Sequence, residues 1–190
     1  MFLSTSLEGL DVKYIVTDGD VRYPGVITQL GYIQQRCTFH IMKNLMDSLS
    51  QRHNYLRREI NNLNEQIPEK EEELKELEKL YAGVSGRPRK DDKKRQKNIR
   101  DKKNLKREIS QLKAKRRKYK KILKDDEKYI KQISLIFKKK TYQAAINQFN
   151  RLYDKRNKMS DEIKDFLENL KDHLDDALNH TLNKKCSINK

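Results

Sequence analysis

The run Val12-Lys13-Tyr14-Ile15-Val16-Thr17-Asp18-Gly19-Asp20 places five β-branched or aromatic residues in six positions just before an acidic turn. Its composition predicts a buried strand over 12–17 that delivers acidic side chains at its C-terminal end. Tyr23-Pro24-Gly25-Val26-Ile27 then predicts a short helix with proline in its first turn, closed at Leu30-Gly31 by a C-cap glycine. A second strand is expected over Tyr32–Thr38, leading into a helix from about Phe39. Strand, helix, strand and helix in so few residues make an α/β unit whose two strands should pair in parallel.

Downstream the pattern changes to helix written in heptads. Positions 56, 60, 63, 67, 70, 74, 77 and 81 alternate by four and three and are apolar or Tyr except at Lys70. A second register runs from Leu105 to Phe137, with Arg116 and Asp126 as its exceptions. Gly83 to Pro88 lies between them and should reverse the chain, so the two seams are expected to face each other as an antiparallel coiled-coil hairpin. Pro68 should kink or split the first arm. Two amphipathic helices follow, one after a Thr141 cap and one after a Ser160 cap, the second carrying a stripe from Ile163 to Leu178. Residues 183–190 show no period and should form a loose tail. Three segments result: 1–49, α/β; 50–140, a basic helical hairpin; 141–190, amphipathic helices and tail. By residue count the protein is mostly α.

The composition narrows the class of partner. The 190 residues are 35% apolar and 38% charged, with a formal net charge of +16. From Arg87 to Lys140 there are 25 Lys/Arg against 7 Asp/Glu, so the excess lies in the second arm and the segment after it. A polyanion is the natural partner, and DNA leads. Lys113, Lys115, Arg116, Arg117, Lys118, Lys120, Lys121 and Lys124 are the candidate backbone contacts, and a solvated helix face is the plain alternative. A seam of this kind can also support a homo-oligomer. No run of about 20 apolar residues is present, so no membrane partner is expected. The opening residues lack a basic start and a long apolar run, and the expected location is cytoplasmic. Cys37 and Cys186 make no disulfide framework.

Chemistry, where it exists, belongs to the first segment. Asp18 and Asp20 at a strand end could serve a hard cation beside a phosphate, or be ordinary turn residues. Cys37-x-x-His40 has the spacing of half a zinc site, but structural zinc takes four ligands; a buried thiol and a satisfied imidazole is the competing reading.

Together these residues form an ordered pattern. Thr17-Asp18-Gly19, Pro24, then Gln35-Arg36-Cys37-Thr38-Phe39-His40 and Asn44 closely resemble the second-aspartate segment of Mutator-like DDE transposases. The resemblance covers about residues 12–45. It implies a partial RNase H-like fold interrupted by a large all-helical insertion, with Asp18 as the second metal-binding acid and Cys37 and His40 as the signature pair beside the catalytic site. It implies Mg²⁺ or Mn²⁺ in an intact enzyme that cleaves and transfers DNA strands by phosphoryl transfer. The chain departs from that pattern at both other acids. Neither Glu8 nor Asp11 suits the first, and Glu162 and Glu168 are poor substitutes for the last. The expectation is therefore a truncated transposase, inactive alone and still able to contact DNA. The alternative is a non-catalytic basic helical DNA-binding module.

Overall fold

A computed structural model describes residues 12–20 and 22–182. Glu8, Asp11, Cys186 and the expected tail over 183–190 lie outside the described residues. The protein is mostly helical, with one two-stranded parallel sheet. The elements are β1 (Tyr14–Thr17), α1 (Tyr23–Gln29), β2 (Ile33–Arg36), α2 (Thr38–Lys79), α3 (Lys93–Ser134), α4 (Tyr142–Tyr153), a 3₁₀ turn (Arg156–Lys158), α5 (Asp161–Asp172) and α6 (Leu174–Leu182). The described residues form two compact units, one within 12–51 and 125–182 and the other 52–124.

The first unit holds the sheet. β1 and β2 pair in parallel, with Tyr14 opposite Ile33 and Thr17 opposite Arg36, and α1 makes the connection that parallel strands require. Proline occupies its first turn, and Gly31, at φ +77°, turns the chain back toward β2. Beneath lies an apolar core in which Leu45 and Leu49 of α2, Ile133 of α3 and Ile163 and Leu167 of α5 are fully buried. α6 docks on β2 through polar contacts. Gln35 Nε2 donates to the carbonyl of Ala177 at 2.9 Å, His180 N–H donates to Gln35 Oε1 at 2.7 Å, and Asn179 Nδ2 donates to the carbonyl of Gln34 at 2.6 Å.

Three local expectations need correction. β1 is not a buried strand: Val16 is 63% exposed and Ile33 of β2 is 45% exposed. A two-stranded sheet has few neighbours to cover it, and the apolar run reports strand propensity rather than cover. The helix capped by Ser160 is two helices, breaking at His173, whose N–H closes a tight turn onto Leu170. Leu174, Ala177 and Leu178 beyond the break still reach the same core. Ser160 stands at the N-cap position, but its hydroxyl makes no cap hydrogen bond and is buried without a partner. Thr141 does cap α4, accepting from the Ala144 N–H at 3.3 Å.

The second unit comprises the long stretches of α2 and α3 and the loop joining them. Leu56, Ile60, Leu63 and Ile67 of α2 and Leu105 and Ile109 of α3 are buried. Ion pairs join Glu59 to Lys115, Lys70 to Glu108, Glu71 to Lys113 and Glu78 to Lys106. From the Glu59–Lys115 pair to the Glu78–Lys106 pair the position advances along α2 and retreats along α3, so the helices run in opposite directions. The polar exceptions in the seams make links between them: Lys70 takes Glu108, and Arg116 donates to Asn64 Oδ1 at 3.1 Å. Pro68 does not split α2, which runs unbroken from Thr38 to Lys79. Proline removes one backbone donor, and the buried Leu63 and Ile67 hold the flanking turns in place.

Candidate nucleic-acid interface and strand-end site

The parallel register places the signature residues. Cys37 follows the last residue of β2, and its N–H donates to the Thr17 carbonyl at 2.7 Å, so Asp18 and Cys37 lie side by side where the strands end. Cys37 immediately precedes α2, its carbonyl accepting from the Ile41 N–H at 3.1 Å. His40, half-buried in the first turn, stands edge-on to Phe39 with ring centroids 5.4 Å apart. Its Nδ1 is buried without a hydrogen-bond partner. Among the described residues no hydrogen bond or ion pair joins Asp18 to His40.

The acidic turn is held from β2. Arg36 Nη2 donates to the Gly19 carbonyl at 3.1 Å, and Gly19 has φ +96°. A Cβ at Gly19 would lie 3.3 Å from the Arg36 guanidinium carbon, so glycine serves both the turn and the close approach. Asp18 Oδ1 accepts from the Asp20 N–H at 3.1 Å, and Asp20 is engaged by Arg22 through both oxygens, at 2.9 and 2.6 Å. Those hydrogen bonds lower the Asp20 carboxyl to about 2. Gly19→Ala should destabilise the protein by about 1–2 kcal/mol, since a left-handed backbone strains an L residue and the guanidinium must shift. Chemical denaturation measures it, and an unchanged midpoint would mean that the turn adapts.

Two recesses lie in this unit. Asp18, Thr17 and Tyr23 line one of about 380 Å³. Arg36, Asn44, Glu162, Asp165 and His173 line another of about 490 Å³. Asp18 and Glu162 are thus found in different recesses. Among the described residues no three His, Cys, Asp or Glu side chains converge as a metal cage would require. No helix among them is long and apolar enough to cross a membrane.

The eight candidate cations between Lys113 and Lys124 of α3 fall into two groups. Lys113 is paired with Glu71 at 2.5 Å, Lys115 with Glu59 at 2.8 Å, and Arg116 bonds Asn64, so three of them tie α3 to α2. Arg117, Lys118, Lys120, Lys121 and Lys124 are exposed and have no ion-pair partner among the described residues. Arg117, Lys121 and Lys124 follow the i, i+4, i+7 spacing of one stripe, which Lys103 and Arg107 extend toward the start of the helix. Counted in heptads from the buried Leu105 and Ile109, these residues occupy outer positions, off the seam. The density of charge is legible in the spacing; only the partners across the pair, Glu71, Glu59 and Asn64, separate its two groups.

The ion pairs also set a pH dependence. Hydrogen bonds from Lys113 and Lys106 hold the Glu71 and Glu78 carboxyls below the usual carboxylate range. A carboxyl lowered on folding contributes stability above its unfolded value, and that contribution is lost as pH falls through the folded one. Helical circular dichroism of the full chain should therefore melt at a steady temperature above about pH 5 and at a lower one as pH drops further. A melting temperature that holds constant down to pH 3 would show that these pairs contribute nothing.

Comparison with known proteins finds no counterpart: no family model matches the chain, and neither does any curated protein or solved structure.

Proposed function

We propose that this chain carries the central part of a DNA-cleaving and strand-transferring enzyme of the Mutator-like DDE transposase type, with α3 as its contact to the DNA backbone. One observation carries the reading: the parallel β1–β2 pair sets Asp18 and Cys37 side by side at the strand ends, in the order Thr-Asp-Gly then Gln-x-Cys-x-x-His. Under this reading the sheet belongs to an RNase H-like core and the helices to its insertion. The two long helices form an antiparallel coiled coil, supported by the burial of positions 56, 60, 63 and 67 at heptad spacing.

The divalent ion that the resemblance implies does not fit the described carboxylates by themselves. Asp18 offers one donor and Asp20 is committed to Arg22, whereas a phosphoryl-transfer centre needs several carboxylates around its ions. These carboxylates alone therefore support no chemical step, and the activity this chain keeps by itself is contact with DNA through α3.

With Mg²⁺ or Mn²⁺ the purified 190-residue chain should bind duplex DNA without cleaving or joining it. Expressed together with the coding sequence that flanks its gene on both sides, it should transfer strands, and Asp18→Ala should abolish that activity. Flanking sequence with no Asp-bearing strand upstream and no Glu segment downstream would overturn the transposase reading. The second reading, a non-catalytic basic helical DNA-binding module, draws on the exposed cations of α3 and predicts that Asp18→Ala changes nothing in either protein.

A further inference from the structure

The loop between α2 and α3 has a chemistry of its own. Its centre is Gly86-Arg87-Pro88-Arg89-Lys90, two guanidiniums flanking a proline, with a glycine before them and an ammonium after. Arg87, Arg89 and Lys90 are exposed and have no ion-pair partner among the described residues. The backbone that carries them is clamped by the first turns of α3. Arg95 Nη2 donates to the carbonyls of Val84, Ser85 and Gly86 at 3.0, 3.2 and 2.7 Å. Gln96 Nε2 donates to those of Arg89 and Lys90 at 2.8 and 3.3 Å. Asp92 caps α3 by accepting from the Arg95 N–H at 3.0 Å, which steadies the clamp. Four loop carbonyls and a fifth at Val84 are thus occupied inside the protein, while the loop cations have no such occupation.

Backbone geometry narrows the target. Pro88 fixes its own φ and holds Arg87 out of the helical region, so the Arg87-Pro88 step stays extended before the turn that closes from the Asp92 N–H onto the Arg89 carbonyl at 3.1 Å. Gly86, at φ +83°, has open space where a Cβ would stand. A thin, extended, cationic segment matches the dimensions of a narrow minor groove better than those of a major groove, which takes a helix or a ribbon. A·T pairs line that groove with acceptors only, while G·C pairs add the guanine amino donor, which faces a guanidinium unfavourably. Runs of A·T also narrow the groove and deepen its negative potential, which favours Arg over the more strongly hydrated Lys.

We infer that residues 86–90 are a minor-groove reading loop for A·T-rich duplex DNA, with Arg87 and Arg89 inserted toward the groove floor. The inference rests on the reading of this chain as DNA-binding and adds a base preference, which phosphate contacts along α3 cannot supply. The loop would bring the chain to A·T-rich sites while α3 supplies sequence-tolerant affinity.

The test uses the full chain and two fluorescent duplexes of equal length, one with a central run of A·T pairs and one of alternating G·C, read by anisotropy at fixed salt. The A·T duplex should bind at least about tenfold more tightly. Distamycin, which fills the minor groove, should erase that margin, and methyl green, which occupies the major groove, should leave it. Arg87→Gln with Arg89→Gln should remove the margin. Arg87→Lys with Arg89→Lys, which keeps the charge, should shrink it while total affinity for the G·C duplex holds. Equal binding of the two duplexes by the unaltered chain, or a margin that survives the Gln variant, overturns the loop assignment and leaves DNA binding by α3 standing. Binding of neither duplex overturns the DNA-binding reading itself. Tighter binding to an RNA duplex than to the A·T duplex also overturns the assignment, because the wide shallow minor groove of RNA gives a narrow loop no purchase.

Discussion

Replacing Arg117, Lys118, Lys120, Lys121 and Lys124 by Gln should lower duplex affinity by roughly a hundredfold or more at low salt and flatten the dependence of log K on log salt by up to about 4.5, about 0.9 for each lost phosphate contact. These five residues are exposed and have no acidic partner among the described residues. A matched variant with Lys113→Gln, Lys115→Gln and Arg116→Gln should behave differently. Those side chains hold Glu71, Glu59 and Asn64, so their loss should lower the melting temperature of the helical pair more than it changes the salt slope. Identical salt slopes for the five-residue variant and the unaltered chain would make α3 a structural spacer and end its claim to DNA.

Gln35→Ala should destabilise the first unit by on the order of 3 kcal/mol, because the side chain is buried and makes three hydrogen bonds. Its amide donates to the carbonyls of Arg36 and Ala177 and accepts from the His180 N–H, joining β2 to α6 across more than 140 positions of sequence. Truncation leaves those buried partners facing an apolar gap. Asn179→Ala removes a single bond to the Gln34 carbonyl and should cost about 1 kcal/mol. Urea unfolding followed by circular dichroism reads both. A loss under about 0.5 kcal/mol for Gln35→Ala would mean that water replaces the amide and that α6 is held by its apolar side alone.

The order of elements and the parallel pairing are legible in the sequence because each rests on local signals. Strand propensity at Val12–Thr17, a proline that opens α1 and the glycine at 31 that closes it together leave a crossover as the simple connection. What depends on distant partners is not legible. Gln35 sits in a strand like any polar residue until Ala177 and His180 are known to face it. Arg36 looks like one more cation among 44 Lys and Arg until its guanidinium is seen against Gly19. The break at His173 escapes for a different reason: no glycine or proline marks it, and the apolar stripe through Leu170, Leu174 and Leu178 continues in phase across it. Arg95 and Gln96 likewise read as helix surface, although they hold the loop over Val84–Lys90.

Pro68 gives the unbroken helix α2 a built-in weak point. Without an amide hydrogen at position 68, the carbonyl of Asn64, four residues earlier, lacks its usual helical donor, so the ladder of α2 is one rung short there. Amide protons next to such a gap exchange with solvent through smaller openings than those in an intact ladder. In deuterium labelling watched by mass spectrometry, peptides spanning 65–72 should take up label sooner than peptides spanning 56–63 of the same helix. The turns beyond Pro68 would then open and close ahead of the rest, giving the far end of the helical pair a faster clock than its base.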